Sequence, residues 1–267
     1  MDFGYDVARQ RHLVCNLATN GKSMTPRLAR MLAKHCGAVA LSIEFLGEAF
    51  ERRRGYPFAQ WLKAVRLIQR AGLRLVFQLT VSRANLETIA ETTAFLAGLK
   101  PEGVVFLTYK PVGRGKYFDA VLTGVDPGTV ARELQRCFHT LDAVGIRIGY
   151  DCCLGNLLAG SGIAGSVEIN GCSATRDSLA ITMNLDVLPC SFTQQITLGS
   201  LRRERLTEIW RNQQTRQFRQ LFAQRITNDL SCRACPFKTT CLGGCPVFNL
   251  VGCSIKAAAA TAANHPS

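Results

Sequence analysis

The sequence predicts an α/β protein, with repeated βα units around a parallel sheet over residues 1–150 and a smaller cysteine-rich α+β module over 151–256. Three observations lead there. Short β-rich runs alternate with helical runs through the first 150 residues, the pattern that parallel βα units leave in a sequence. The candidate strands are mostly apolar on both faces, as strands covered on both sides are. Nine of the twelve cysteines lie after residue 151, where the βα pattern stops.

Four strands are expected at His12–Ala18, Ala38–Glu44, Leu73–Val81 and Val104–Tyr109, each rich in Val, Ile, Leu or Phe. Between them Thr25–Lys34, Phe58–Ala71 and Asn85–Leu99 have helical spacing, with Thr25 ahead of Pro26 and Asn85 ahead of Glu87 as starts. A further helix, Thr129–Val144, sets Val130, Leu134, Phe138 and Leu141 on one stripe, Gly145 ends it, and a strand Ile146–Tyr150 follows. From Asp151 to Ser173 the chain is Gly- and Ser-rich without a period, which marks a boundary. Leu179–Met183 and Val187–Pro189 then flank Asn184-Leu185-Asp186 like a hairpin, and Arg205–Asn212 and Thr215–Phe222 read as short helices. The alanine-rich tail 257–267 is expected to be disordered.

A length of 267 residues suffices for a sizeable core. Twelve cysteines in a chain of this size, with no basic and apolar leader, point to a reducing cytoplasm and not to a secreted disulfide framework. No apolar run approaches the roughly 18 residues of a membrane helix. The net charge of +13 is mainly arginine, clustered at Arg52-Arg53-Arg54, at Arg202 to Arg205 and at Arg216 to Arg225. These runs lack the interleaved aromatics that stack on bases, so they read as solvated surface and nucleic acid is not the expected partner.

The strongest chemical signal is Cys232-x2-Cys235-x5-Cys241-x3-Cys245-Pro246, with Cys253 seven residues further on. Such close spacing needs tight turns, for which Pro236, Gly243 and Gly244 are suited. Structural zinc sites separate their ligand pairs by roughly 12 to 20 residues, whereas five separate them here. The x3-Cys-Pro ending is that of the bacterial ferredoxin run, in which the last cysteine ligates a second cluster. A second centre at Cys245 draws on Cys172 and Cys190, with Cys153 as fourth ligand; adjacent Cys152 competes for that place, and spacing does not choose. Cys253 then completes the other set with Cys232, Cys235 and Cys241. Cys15, Cys36 and Cys137 read as small buried hydrophobes, and His12, His35, His139 and His265 form no ligand pair.

Gly171-Cys172-x17-Cys190-Ser191-Phe192, Leu206-Thr207-Glu208-Ile209-Trp210, Phe218-Arg219 and the five-cysteine run with Gly243-Gly244-Cys245-Pro246 together resemble the SPASM domain of radical S-adenosylmethionine (radical SAM) enzymes. Upstream, Thr19-Asn20-Gly21, Leu41-Ser42-Ile43-Glu44 with Gly47, Arg54-Gly55, Thr80 to Leu86 and Lys110-Pro111-Val112-Gly113-Arg114-Gly115 fall in that family's order. The resemblance implies a partial, incomplete TIM-like β/α barrel holding the family's strands three to six. It implies two auxiliary 4Fe–4S clusters, a peptide or protein substrate, a reductant such as ferredoxin or flavodoxin, and Ser42 and Glu44 near the cofactor ribose. Leu185 stands where the family usually has a hairpin glycine.

The family's CxxxCxxC loop, which holds the cluster that cleaves S-adenosylmethionine, does not occur in these residues; Cys241-x3-Cys245 is followed by Phe248 where the third cysteine would stand. The expectation is an N-terminally incomplete, peptide-modifying protein that does not cleave the cofactor alone, either a truncated reading frame or gene fragment or one half of a protein whose other half a second polypeptide supplies. The rival readings are a non-catalytic peptide-binding or electron-transfer iron–sulfur module and a zinc-stabilised basic protein binding nucleic acid.

Overall fold

The computed structural model describes residues 2–118, 120–158, 170–248, 250, 252, 253 and 256. It forms two compact units, Met1–Leu107 with Arg132–Tyr150, and Thr108–Ala131 with Asp151–Ser267. The tail 257–267, expected to be disordered, lies outside the described residues. The segment 108–131 groups with the cysteine-bearing unit: Thr123 donates a hydrogen bond to the Leu250 carbonyl at 3.5 Å, and Gly252 lies so close to Pro127 that a Cβ would meet its Cγ at 2.5 Å.

The first unit is built on a five-stranded sheet whose spatial order is its chain order, β1 (Cys15–Thr19), β2 (Cys36–Ile43), β3 (Leu75–Val81), β4 (Gly103–Thr108) and β5 (Arg147–Tyr150). Pairing is parallel, and Ala40 sits beside Val76 and Ser42 beside Gln78. Helices Pro26–His35, Gly47–Arg54, Phe58–Arg70, Ile89–Gly98 and Pro127–Asp142 connect the strands. Thr25 starts the first of these as expected, its hydroxyl accepting from Leu28 N at 3.1 Å.

The strands are less symmetric than their composition suggests. Val39, Leu41, Ile43, Phe77 and Leu79 are fully buried on one face, while Asn16, Ala18, Ala40, Ser42 and Gln78 on the other are small or polar and partly exposed. Trp61 anchors the buried face. It is fully covered, sits between Phe58 and Phe77, and donates its indole N–H to the Ser42 carbonyl at 3.2 Å. Truncating such a residue costs about 3–5 kcal/mol.

Asn85 corrects a sequence expectation. It was read as the start of one helix over 85–99, but it makes no side-chain cap and is followed by a 3₁₀ turn at Leu86–Thr88 before the helix proper at Ile89–Gly98. Its buried amide instead ties two strand ends together: it donates to the carbonyls of Glu44 and Thr80 at 3.0 and 2.8 Å and accepts from Ser82 N and Oγ at 2.8 and 2.9 Å. Tertiary satisfaction of a buried polar group prevails over capping there. Helices Asp2–Gln10 and Gly47–Arg54 were not expected, the latter because Glu48, Arg52, Arg53 and Arg54 leave it little apolar stripe.

The second unit contains an antiparallel sheet of β6 (Ala180–Ile181), β7 (Asp186–Leu188) and β8 (Gly199–Ser200). The expected hairpin is present, its strands shorter than predicted. Leu185 makes its turn at φ 66, a left-handed conformation that costs a residue with a Cβ about 1–2 kcal/mol. Helices Leu206–Arg211 and Gln213–Thr227 follow, then two short helices inside the cysteine run, Leu230–Ala234 and Lys238–Cys241. Val187, Leu198, Ile209, Phe218 and Phe222 form a core shared with Cys172 and Ala174.

Candidate metal centres in the cysteine-bearing unit

All twelve cysteines are free thiols. Nine of them belong to the second unit, and their side chains fall into two neighbourhoods.

The first neighbourhood contains Cys152, Cys153, Cys172, Cys190 and Cys245. Cys153, Cys172 and Cys245 are buried, and Cys152, Cys172 and Cys190 pack on the core around Val187 and Ile209. Cys152, Cys153, Cys172 and Cys245 lie near enough to shift one another's acidities. The hydrogen bond from Cys152 holds Cys172 below the usual thiol range against its burial. Cys153 is pushed up to about 12 by the bond it gives to Cys152 and by burial, and Cys245 is raised by its bond to Cys153 and by burial. Cys152 is pulled down by the bond it accepts from Cys153 and raised further by the one it gives and by burial, for a net rise. Thiols release their protons when they bind a cationic centre.

Asp151 positions the start of this set. It accepts from Thr108 N and Oγ1, each at 2.9 Å, and from Cys153 N at 3.1 Å, and it pairs with the Lys110 ammonium. Lys110 also donates to the Thr108 carbonyl at 3.3 Å and lies over the Phe192 ring at 4.5 Å. Burial pulls its acidity one way, but Asp151, Cys153 and Cys152 more than offset that, so Lys110 is held above the ordinary lysine value and stays charged.

The second neighbourhood contains Cys232, Cys235, Cys241 and Cys253, which line a cavity of about 260 Å³ together with Asn156, Arg225, Phe237, Lys238, Gly243, Gly252 and Lys256. Asp229 caps the helix that carries Cys232, accepting its N–H at 3.2 Å, and pairs with Lys256, whose hydrogen bond holds the Asp229 carboxyl below its usual range. Burial raises Cys241 and Cys232, in Cys241 against hydrogen bonds from the N–H groups of Gly244 and Gly243. Leu242, Gly243 and Gly244 are consecutive left-handed residues at φ 56, 74 and 82. That turn allows Cys241 and Cys245, four positions apart, to serve different neighbourhoods. Arg225 fastens it, donating Nε to the Gly243 carbonyl at 2.6 Å. Gly171 is needed for a different reason: a Cβ there would meet the Thr240 carbonyl at 2.6 Å and Leu242 at 2.8 Å, so only glycine lets the Cys172 segment lie against the Cys241 helix.

Two features test the fit of iron–sulfur clusters. A backbone N–H points at sulfur in the first neighbourhood, from Phe248 to Cys245 at 3.4 Å, which favours thiolate. The second set surrounds a volume far above the ~10–15 Å³ that one water requires. Among the described residues no three His, Cys, Asp or Glu side chains converge as the ligands of a single ion do. All-thiol donors spread round a volume suit a polynuclear centre better than one zinc, whose four sulfurs close to about 2.3 Å from it.

The remaining candidates lie in the first unit. Ser42 is half-buried on the partly exposed face of β2. Glu44 just beyond it is held by Arg54 in a two-point ion pair at 2.7 and 2.5 Å. Cys137 is fully buried, while Cys15 and Cys36 are half-buried, Cys36 donating to the Tyr5 hydroxyl at 3.5 Å. Sequence reasoning gave no role at the cysteine sites to Lys110, Asp151, Arg225 or Lys256. Asp151 directly before Cys152-Cys153 was the available signal; the two lysines lie too far from their partners in sequence to have carried one.

Residues 172–236 match the model of SPASM, an iron–sulfur cluster-binding domain. The chain is 27% identical over 247 residues to an AdoMet-dependent heme synthase from Methanosarcina barkeri (strain Fusaro / DSM 804), covering 85% of this chain and 68% of that protein. Similar solved structures include native anSMEcpe with bound AdoMet, with a TM-score of 0.68, 16% identity, and coverage of 96% of this chain and 74% of that one. They also include Streptococcus suis SuiB bound to S-adenosylmethionine, with a TM-score of 0.69, 17% identity, and coverage of 91% and 58%. The fold is that of these partial barrels. Among the described residues no helix is long and apolar enough to cross a membrane.

Proposed function

For this chain, which is of the radical SAM/SPASM kind, we propose that it is an iron–sulfur protein holding two auxiliary 4Fe–4S clusters, with Cys153, Cys172, Cys190 and Cys245 as ligands of one and Cys232, Cys235, Cys241 and Cys253 of the other. The observation that carries the reading is the division of nine cysteines into two thiol neighbourhoods by the left-handed turn at Leu242–Gly244. When bound, such clusters supply one-electron transfer and, at an open iron, a point of attachment for substrate. The chain's own residues set the terms: backbone N–H groups stabilise the thiolates, Asp151 fixes the approach of Cys153, and Asp229 fixes that of Cys232.

The remaining parts belong to the same proposal. The half-exposed face of β2 with Ser42, and Glu44 held by Arg54 at its end, faces the ribose of S-adenosylmethionine. No CxxxCxxC occurs in these residues, so the polypeptide given does not cleave that cofactor by itself; the ligands for that step come from further residues or from another polypeptide. Reducing equivalents come from a ferredoxin or flavodoxin, in a reducing cytoplasm that keeps the thiols available. A peptide is the substrate class proposed, supported by the likeness to SuiB in a structure bound to its precursor peptide SuiA. A second reading, a tetrapyrrole substrate, is favoured by the heme synthase relative and by the net charge of +13, which suits the carboxylates of such a molecule.

Anaerobic reconstitution followed by iron, sulfide and zinc analysis tests the cluster reading. About eight irons with matching sulfide per chain are expected for two four-iron clusters, and stoichiometric zinc without sulfide would end it. Deoxyadenosine above background from the reduced, reconstituted chain with S-adenosylmethionine would end the claim that it does not cleave the cofactor alone. Equilibrium binding of a haem-type tetrapyrrole, measured against a cysteine-containing peptide, separates the two substrate readings.

A further inference from the structure

We propose that the buried Lys110–Asp151 ion pair sets the reduction potential of the cluster held by the first thiol set. The inference rests on the cluster reading above and assigns a role to two residues which that reading does not use as ligands.

The side chains of Lys110 and Asp151 are 7% and 14% exposed. Taking two charges out of water is costly, and a loop can be anchored by neutral hydrogen bonds without that penalty. Neutral donors already do much of the anchoring: the backbone N–H and hydroxyl of Thr108 and the N–H of Cys153 all reach the Asp151 carboxylate. What the pair adds is charge at a fixed place. Asp151 directly precedes the Cys152-Cys153 pair and accepts the Cys153 N–H at 3.1 Å, so Lys110, paired with the same carboxylate, stands beside that pair. On its other side the ammonium lies over Phe192, two residues beyond Cys190. The ion pair therefore stands between two segments that bear proposed ligands, and little solvent screens it.

A 4Fe–4S cluster gains one negative charge on reduction. A buried cation beside its ligands favours the reduced form, and a buried carboxylate opposes it, through the same low-dielectric surroundings. Removing the two charges one at a time must then shift the potential in opposite directions. A pair that serves only as a loop anchor makes no such prediction, because losing either partner loosens the same loop. The cluster held by Cys232, Cys235, Cys241 and Cys253 has its own cations, Arg225, Lys238 and Lys256, and serves as an internal control.

The test is an anaerobic potentiometric titration of the reconstituted full chain, with dithionite as the electron source and electron paramagnetic resonance as the readout. It is run on the unsubstituted chain, Lys110→Met, Lys110→Gln and Asp151→Asn after iron and sulfide analysis of each. Both Lys110 variants are expected to make one couple harder to reduce by about tenfold in equilibrium, ~59 mV for one electron. Asp151→Asn is expected to make the same couple easier to reduce, while the second couple stays in place. Shifts of the same sign, no shift, or loss of about four irons from all three variants would overturn the proposal and leave the pair an anchor. An unsubstituted chain that takes up no iron would instead remove the cluster reading itself, before any variant is compared.

Discussion

The two thiol neighbourhoods share one short cysteine run but differ in burial and in the charges around them. The first is the more buried: Cys153, Cys172 and Cys245 are covered, Cys152, Cys172 and Cys190 share a core with Val187, Ile209 and Phe218, and a single buried ion pair stands beside them. The second lines an open cavity, with three half-buried cysteines and three cationic side chains in its wall. A cluster in the first set is insulated and tuned by a few fixed charges. One in the second is reachable from solvent, so exchange with a reductant or with chelators is easier there. The difference shows how the three-residue turn between Cys241 and Cys245 divides one motif between two electrostatic environments.

The largest effect that would sharpen this contrast comes from removing ligands. Cys232→Ser with Cys235→Ser is expected to lower iron from about eight to about four per chain and to leave thermal stability nearly unchanged. Cys172→Ser should also remove about four irons and, because Cys172 is part of the core, lower the melting temperature as well; equal melting temperatures for the two variants would break the contrast. Gly171→Ala comes next. Its Cβ would strike the Thr240 carbonyl at 2.6 Å, a backbone atom that cannot swing away, so a loss of about 1–3 kcal/mol in denaturant unfolding is expected, together with iron loss from both sets.

Leu185→Gly runs the other way. It relieves the left-handed strain at φ 66 and should stabilise the hairpin by up to about 1 kcal/mol, visible as a small rise in melting temperature with iron content unaltered. The smallest effect belongs to Cys137 in the first unit, whose burial pushes its thiol to about 11 from 9.0. A group raised on folding contributes stability that is complete below pH 9 and fades as the pH climbs toward 11. Cys137→Ala should therefore flatten the alkaline limb of a stability profile, and iodoacetamide at pH 8 should label Cys137 only after unfolding.

Much of this was legible in the sequence because it rests on local signals. The parallel strands announced themselves through β-branched runs, Thr25 through its place before Pro26, and the five-cysteine run through spacing that only a tight turn can satisfy. What was hidden depends on distant partners. Asn85 looked like a cap until the carbonyls of Glu44 and Thr80 were seen to claim it. Lys110 and Asp151 are forty-one residues apart, and nothing in either neighbourhood of sequence says that they meet. The half-exposed face of the sheet was also missed, because apolar composition does not record that Ala18, Ala40 and Ser42 are small residues all pointing one way. Spacing does not separate Cys152 from Cys153 because they are adjacent in the chain and both fall in the first neighbourhood.

The central claim is that these cysteines hold two clusters, one in each neighbourhood. Its most direct test is the iron and sulfide content of the anaerobically reconstituted chain, read beside its Cys232→Ser/Cys235→Ser variant. The account predicts about eight irons with equal sulfide in the first and about four in the second. Four irons in both, or zinc without sulfide in either, would contradict it.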